Sequence, residues 1–461
     1  MQLSRRRFVG ALGLVLSRPR FAAAETSADG FQILRAQKAD AALLESDAIK
    51  STTWRFTPDD KITVLRAKQG VELKVRLVNS LEDEIWFHWF GVRGPADLMT
   101  INVQPGESNQ VDCVFTPPDA GTFWFGPFTD ASRQRDMGLY GMLIVEETAS
   151  APALLDVPMI VDDWKIDEAG KLEENFGDLE AAVGAGRLGN WFTVNASYRP
   201  HIQIPKGKAC RLRLLNAANV RTMSFQFKGI DPLVVALDGQ PIAPRHSGLQ
   251  PLSLAPGQRM DLVLDAGTEN ISIALDLFED LVELCYLERE GEASAEILPD
   301  NFALPINPIS SNLDMEKARV IAVVVSGGAK GGLKQAKFKG ELLALRALLE
   351  KGMAWAINDV SGLGGEPFGT FAPGETIILD IDNRTSFEQP LHIHGHVWQL
   401  IEQNGEMREG QPWLDTAVVP ASQKMKLGFV ADNVGPWALQ SLIAERVDAG
   451  LVASFVVAAP A

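Results

Sequence analysis

The sequence predicts an all-β protein made of three consecutive Greek-key β-sandwich domains, and three observations carry that expectation. A pattern that opens on Gly and reaches Asn nine residues on, with apolar and polar positions mostly alternating between, occurs at Gly70 to Asn79, Gly207 to Asn216 and Gly374 to Asn383. Such alternation is what a strand with one buried face requires. Each copy is followed downstream by a turn and a second strand, the turns being Pro105-Gly106, Pro256-Gly257 and Pro420-Ala421; proline pre-sets one backbone dihedral and glycine frees the next. The 461 residues suit about three domains. Repetition at domain scale means duplicated domains rather than a solenoid.

Taken in order, the chain opens on a targeting segment. Arg5, Arg6 and Arg7 precede a short apolar run from Gly10 to Ser17, and Ala22, Ala23 and Ala24 offer a small-residue cleavage site. That order matches a twin-arginine export signal over residues 1–24, which implies export in the folded state to the periplasm. Loss of those residues, with their five arginines and no acids, would take the net charge from −16 to −21. So acidic a chain is not expected to bind nucleic acid or an anionic membrane surface. No later run approaches the roughly 20 apolar residues of a membrane span.

The domains are expected at residues 30–150, 151–300 and 315–461, with a Pro-rich connection at Leu298 to Pro308 between the second and third. Cys113 and Cys210 share strand parity with apolar neighbours and read as small core residues, while Cys285 is ambiguous; one disulfide among the three stays open. Gly340 to Lys351, with Leu342, Leu343, Leu345, Leu348 and Leu349, has helical spacing and is expected to be a packing helix. Asp162 and Asp163, just before Trp164, read as turn or surface residues, as do His201 and His246. No nucleophile elbow, P-loop or dinucleotide fingerprint occurs.

Three of the six histidines fall in one stretch, Gln389 to His396, and a second stretch runs from Trp437 to Leu451. Together they resemble the C-terminal copper-binding signature of the multicopper oxidases, the laccase-like family. Phe87 to Gly91, Gly121 to Phe128 and Gly138 to Glu147 resemble that family's first-domain motifs. The resemblance spans nearly the whole chain after the signal, and implies three cupredoxin-like sandwiches with metal motifs only in the first and third.

The family holds one copper with two His, a Cys thiolate and a weak axial Met, and three more coppers with about eight imidazoles. At the mononuclear site the resemblance places Gln389, Ser441, Arg446 and Leu451, so all four ligands are replaced. At the paired coppers it places Phe90, Gly126, Phe128, His394, Gln440 and Leu442, of which one is still histidine. Both positions of the remaining copper, His88 and His392, are retained. Serine is no thiolate conduit for electrons, and Arg446 sets a permanent positive charge at a copper position.

The expected function is that of a periplasmic, oxidase-like protein without oxidase activity, acting by contact with an envelope protein partner in cell division or envelope support. No catalytic residue and no cofactor are expected, and the chain is expected to be a monomer. The alternative is a copper-handling protein in which His88, His392 and His394 hold one Cu or Zn; family membership alone would label the chain a copper-dependent oxidoreductase.

Overall fold

The computed structural model describes residues 21–22, 24–46, 48–57, 62–148, 154–277, 280–291, 298–299, 301–309 and 312–459. The twin-arginine motif and apolar run, within residues 1–20, lie outside the described residues. The fold is nearly all β, in three sandwiches of the cupredoxin type.

The repeated segments form equivalent strands, Leu73–Asn79, Cys210–Asn216 and Glu375–Asn383. Each pairs in parallel with an earlier strand (Gln32–Ala41, Leu155–Trp164, Arg319–Gly327) and antiparallel with a later one (Val111–Phe115, Arg259–Leu264, Lys424–Ala431). The second sheet of each sandwich also repeats a parallel pair: Ile62–Lys68 with Gly141–Glu146, His201–Pro205 with Leu281–Glu290, and Thr370–Phe371 with Val452–Val457. Two parallel pairings per sandwich require the long crossovers of a Greek key rather than hairpins alone.

The terminal asparagine of each repeat has a physical reason. Asn79, Asn216 and Asn383 are all fully buried. In each, Oδ1 accepts the N–H two residues on (Leu81, Ala218, Thr385). Nδ2 donates to a carbonyl four or five residues on (Asp83, Arg221, Phe387) and to the one entering the Pro turn (Val103, Leu254, Val419). One amide thereby ties a strand end to two loops, which a backbone group cannot do.

The second sandwich has its own apolar core, whereas the cores of the first and third are continuous. The interface between first and third therefore packs as an interior. Motif residues from both sides meet there.

Two expectations are corrected. Gly340 to Lys351 is not one helix: Glu341–Ala344 is a strand paired with Gln335–Phe338, and only Leu345–Leu349 turns helical. The leucines serve two elements, so Leu348 is buried and Leu342 is 58% exposed. Asp162 and Asp163 are neither turn nor surface residues. They end the buried strand Leu155–Trp164, where the Tyr140 hydroxyl donates to Asp162 at 2.5 Å and Arg221 Nε and the Gly189 N–H donate to Asp163 at 2.7 and 2.9 Å. Those partners come from other elements, which spacing does not reveal. All three cysteines are buried and free.

Candidate functional site

His88 is carried by the strand Ile85–Phe90 of the first sandwich, His392 by Gln389–Ile393 of the third, and His394 follows directly. Gly395, with φ of +66°, lets the chain turn there, and a Cβ on it would collide with the Trp437 ring. The three imidazoles meet across the interface. Their ligand-capable nitrogens all lie within 4.8 Å of one another, and none of the residues is more than 2% exposed. The His88 and His394 rings stack at 3.9 Å, with His392 at 6.3 and 5.3 Å from them.

Two of the rings, His88 and His392, are oriented from one side. His88 Nδ1 lies 2.7 Å from Thr100 Oγ1, and His392 Nδ1 lies 3.2 Å from Asp415 Oδ1 and 3.1 Å from Thr416 Oγ1. Among the described residues, the Nε2 atoms of His88, His392 and His394 have no hydrogen-bond partner. Burial, joined by repulsion from His392, holds the His88 imidazole well below the usual range; burial, with His88 and His392, does the same to His394. Both rings are therefore neutral near pH 7 and keep a lone pair. Asp415, against His392 Nδ1, fixes the tautomer in which Nε2 is the acceptor.

Asp415 is itself anchored from the second sandwich. Arg259, fully buried, donates from Nη1 to Asp415 Oδ1 at 3.0 Å and pairs again through Nη2; it also donates to the carbonyls of Gly257 at 3.0 Å and Thr122 at 3.2 Å. Burial alone would raise the Asp415 carboxyl, but Arg259 and His392 override it and hold it well below the carboxylate range. Asp238, against the same arginine, is instead pushed up to about 7 by burial and by Asp415. Gly91 must be glycine: its φ is +83°, and a Cβ would strike the Arg259–Asp415 pair. Motif spacing did not point to Arg259 or Asp415; a Pro-Gly turn before one and an apolar strand after the other are the sole signals.

Around the histidines the space is filled. Phe90 stacks on Trp124 at 3.7 Å and 4°, with Leu442 in the same cluster. Phe128 stands edge-on to His394 at 5.2 Å. Gly126 pairs with His88 across the sheet, and Gln440 pairs with His392. A Cβ on Gly126 would meet the Leu139 carbonyl at 3.2 Å.

Gln389, Ser441, Arg446 and Leu451 are also brought together, and all are buried. Arg446 Nη1 donates to Gln389 Oε1 at 2.9 Å and to the Glu388 carbonyl at 2.7 Å, while Gln389 Nε2 donates to Thr385 Oγ1 at 3.1 Å. The guanidinium lies over the corner formed by the Trp355 and Phe387 rings, 4.9 Å from each ring centre. The Ser441 N–H donates to the Leu451 carbonyl, and the Leu451 N–H to the Arg446 carbonyl. Burial lowers Arg446 to about 10, which leaves it charged at neutral pH.

His396, His201 and His246 stay outside this cluster. His396 Nδ1 donates to the His394 carbonyl at 2.9 Å; His201 lies 2.6 Å from Glu288, and His246 is 58% exposed at a strand end.

Comparison with known proteins agrees with the fold. The family model for Multicopper oxidase matches residues 48–150, 144–273 and 347–461. The chain is 27% identical to the Cell division protein FtsP of Yersinia pestis over all of both chains. It is 25% identical to the Multicopper oxidase MmcO of Mycobacterium tuberculosis, over 82% of this chain and 77% of that one. A solved multi-copper oxidase from Pseudomonas thermotolerans superposes with a TM-score of 0.79 at 25% identity, covering 92% of this chain and 98% of that chain.

Proposed function

Because the chain belongs to the multicopper oxidase family, and its ligand positions are filled as described, we propose that it is a non-oxidase relative acting in the bacterial envelope. In this reading residues 1–24 direct twin-arginine export to the periplasm, residues 30–150, 151–300 and 315–461 are the three domains, and the chain works as a monomer by contact with an envelope protein. The full-length likeness to FtsP supports a role in cell division.

The observation that carries the reading is Arg446. A family oxidase needs a thiolate and imidazoles here; this chain has a guanidinium hydrogen-bonded to Gln389 and packed against two aromatic rings. A cation so placed repels copper, and Ser441 offers no sulfur to relay electrons. Phe90, Gly126, Phe128, Gln440 and Leu442 likewise replace ligands at the paired coppers, and His394 alone cannot hold a pair.

The test has two arms. Copper-supplemented protein is expected to show no intense blue band and no oxygen uptake with phenolic substrates. In-cell crosslinking is expected to capture a division-complex protein. Oxygen consumption with bound copper would overturn the reading.

A second reading rests on the unpartnered Nε2 atoms of His88, His392 and His394. Three buried imidazoles, two of them oriented through Nδ1, suit one Cu or Zn ion. Bound there, the ion would supply Lewis acidity or a structural tie between the first and third sandwiches. Titration with Zn(II) is expected to give one equivalent bound, lost in the double variant His88→Ala, His392→Ala; equal binding by that variant would refute the site.

A further inference from the structure

Within the third domain, residues 330–351 reverse the charge of the rest of the chain. They hold six cations (Lys330, Lys334, Lys337, Lys339, Arg346, Lys351) and two acids (Glu341, Glu350), a net of +4 in a chain of −16, which leaves −20 for the remainder. All six cations are exposed. Arg346 pairs with Glu350, whereas the five lysines make no ion pair among the described residues. Like charges gathered without acids repel one another, here in a chain whose surplus is acid. A counterpart of opposite sign from outside the chain would remove that repulsion.

The hairpin of Gln335–Phe338 with Glu341–Ala344 carries the centre of this stretch, and Lys339 and Gly340, both with positive φ, make its two-residue turn. Strand side chains alternate, so the pairs Ala336–Leu343 and Phe338–Glu341 share one face, and Gln335–Ala344 and Lys337–Leu342 share the other. The first face is fixed to the sandwich: Ala336 is buried with Leu333, Leu348 and Ala356, and Phe338, Leu343 and Met353 pack against them. Phe338 also lines a cavity of about 460 Å³, with Phe128, Met353 and Leu363. The second face is open. Gln335, Lys337, Leu342 and Ala344 are all exposed, Leu342 by 58%.

At the foot of the hairpin lies a hollow of about 360 Å³, lined by Lys330, Lys334, Gln335, Asp359 and Arg384. Gln335 belongs both to the hollow and to the open face, so Lys330, Lys334, Lys337 and Lys339 run from the one to the turn at the end of the other. Lys351 lies apart, beside the 460 Å³ cavity. The acids nearby are few. Glu341 shares the covered face with Phe338, Glu350 is taken by Arg346, and Asp382 by Arg384 at 2.8 Å. Asp359 is the one acid that faces the hollow.

We propose that the open face and its hollow dock an acidic, extended segment of a protein partner, with carboxylates on Lys330, Lys334, Lys337 and Lys339 and an apolar side chain on Leu342. The inference rests on the protein-contact reading above and names the surface and the chemistry of what it meets. An apolar centre ringed by charge is the ordinary build of a transient interface. The charges steer the approach and fix the sign of the partner, and Leu342 adds apolar burial. The size of the patch selects the kind of partner. A membrane surface or a nucleic-acid duplex extends past it and meets the −20 remainder, whereas a short segment meets the lysines alone.

Fluorescence anisotropy of the full chain with a labelled Glu-Asp-Glu-Leu-Glu-Asp-Glu peptide, at low salt, tests it. Saturable one-site binding is expected, at least about tenfold weaker in the variant Lys330→Glu, Lys334→Glu, Lys337→Glu, Lys339→Glu, as for four exposed ion pairs lost together. The same charge change placed elsewhere, at the exposed Lys38, Lys50, Lys68 and Lys171, should leave affinity within about twofold of the parent, beyond the reach of screened charges. Leu342→Ser should weaken binding about threefold or more, and decides the matter if the lysine variant does not fold. No saturable binding, equal binding by the lysine or the Ser variant, or an equal loss in the distant variant would each overturn the surface. Binding to phosphatidylglycerol vesicles that disappears in the lysine variant would overturn the protein segment in favour of a membrane. In-cell crosslinking separates the two readings. If parent and lysine variant capture the same division-complex protein equally, the surface fails and the contact reading stands. If the parent captures none while the peptide still binds through the four lysines, the contact reading fails and the surface stands.

Discussion

Two regions, one within the third sandwich and one where the first sandwich meets the third, have met the same demand in opposite ways. At Gln389, Ser441, Arg446 and Leu451 the side chains answer one another: amide to guanidinium, guanidinium to two rings, amide to Thr385. At the histidine cluster the His88 and His392 rings are oriented from behind, yet the Nε2 atoms of His88, His392 and His394 find no hydrogen-bond partner among the described residues. An unmet buried polar atom costs about 1–3 kcal/mol. The first region has one such atom, Arg446 Nε, and is otherwise closed as a core, whereas the second has three, one on each imidazole.

The sharpest way to break that contrast is to install the copper ligands that the family resemblance assigns to these four positions. The quadruple variant Gln389→His, Ser441→Cys, Arg446→His, Leu451→Met is expected to bind one Cu(II) with an intense blue absorption, where the parent shows none. A folded variant with no such band would mean that these four positions do not surround one point, and the correspondence drawn for them would fail.

The histidine side of the comparison depends on Arg259. Arg259→Ala would leave Asp415 and Asp238 buried together without their cation, at a cost of about 3–5 kcal/mol read by urea unfolding. It should also free the His392 ring, so any Zn(II) affinity should fall along with stability. Unchanged stability would show that the arginine does not support the cluster.

Phe128 marks the boundary between the histidines and the 460 Å³ cavity, since it lines the cavity and stands 5.2 Å from His394. Phe128→Ala should cost about 3 kcal/mol. It should also speed Zn(II) uptake in stopped-flow measurements, because the ring is what separates the cavity from the imidazoles. An unchanged uptake rate would place the entry path elsewhere.

How much of this was legible beforehand follows from the range of the interactions. The Gly-to-Asn repeats showed the three sandwiches because alternation and turns are local, and the histidine spacing showed which rings would share a strand end. The Arg446–Gln389 pair could be suspected from position alone, but the Trp355 and Phe387 rings that hold the guanidinium come from separate segments. Asp162, Asp163, Asp415 and Glu445 could not be read, because an acid is buried or exposed according to partners that only the fold supplies. The Leu342 to Leu349 run misled for a related reason: five leucines fit one helix face, yet Ala344 is extended and divides them between a hairpin and a single turn.

The same contrast can be tested within one residue type. Asp415 is ionised beside an arginine, whereas Asp162 is paired with a neutral tyrosine and pushed up to about 8, mainly by burial. An acid whose native pKa is raised keeps its proton while the unfolded chain loses it, so Asp162 costs stability as pH rises from about 4 to about 8, and adds no further dependence above that. The slope is at most about 1.4 kcal/mol per pH unit. Asp415 acts in the other sense, contributing stability above the ordinary carboxylate range and losing it as pH falls. Asp162→Asn keeps a group that can accept the Tyr140 hydroxyl and carries no titration, so unfolding free energies measured at pH 5 and pH 7.5 should converge relative to the parent. Glu445 and Asp238, both near 7, retain part of the slope. An identical slope in the Asn variant would mean that Asp162 is ionised in the native protein, and that burial beside Tyr140 does not suffice to hold its proton.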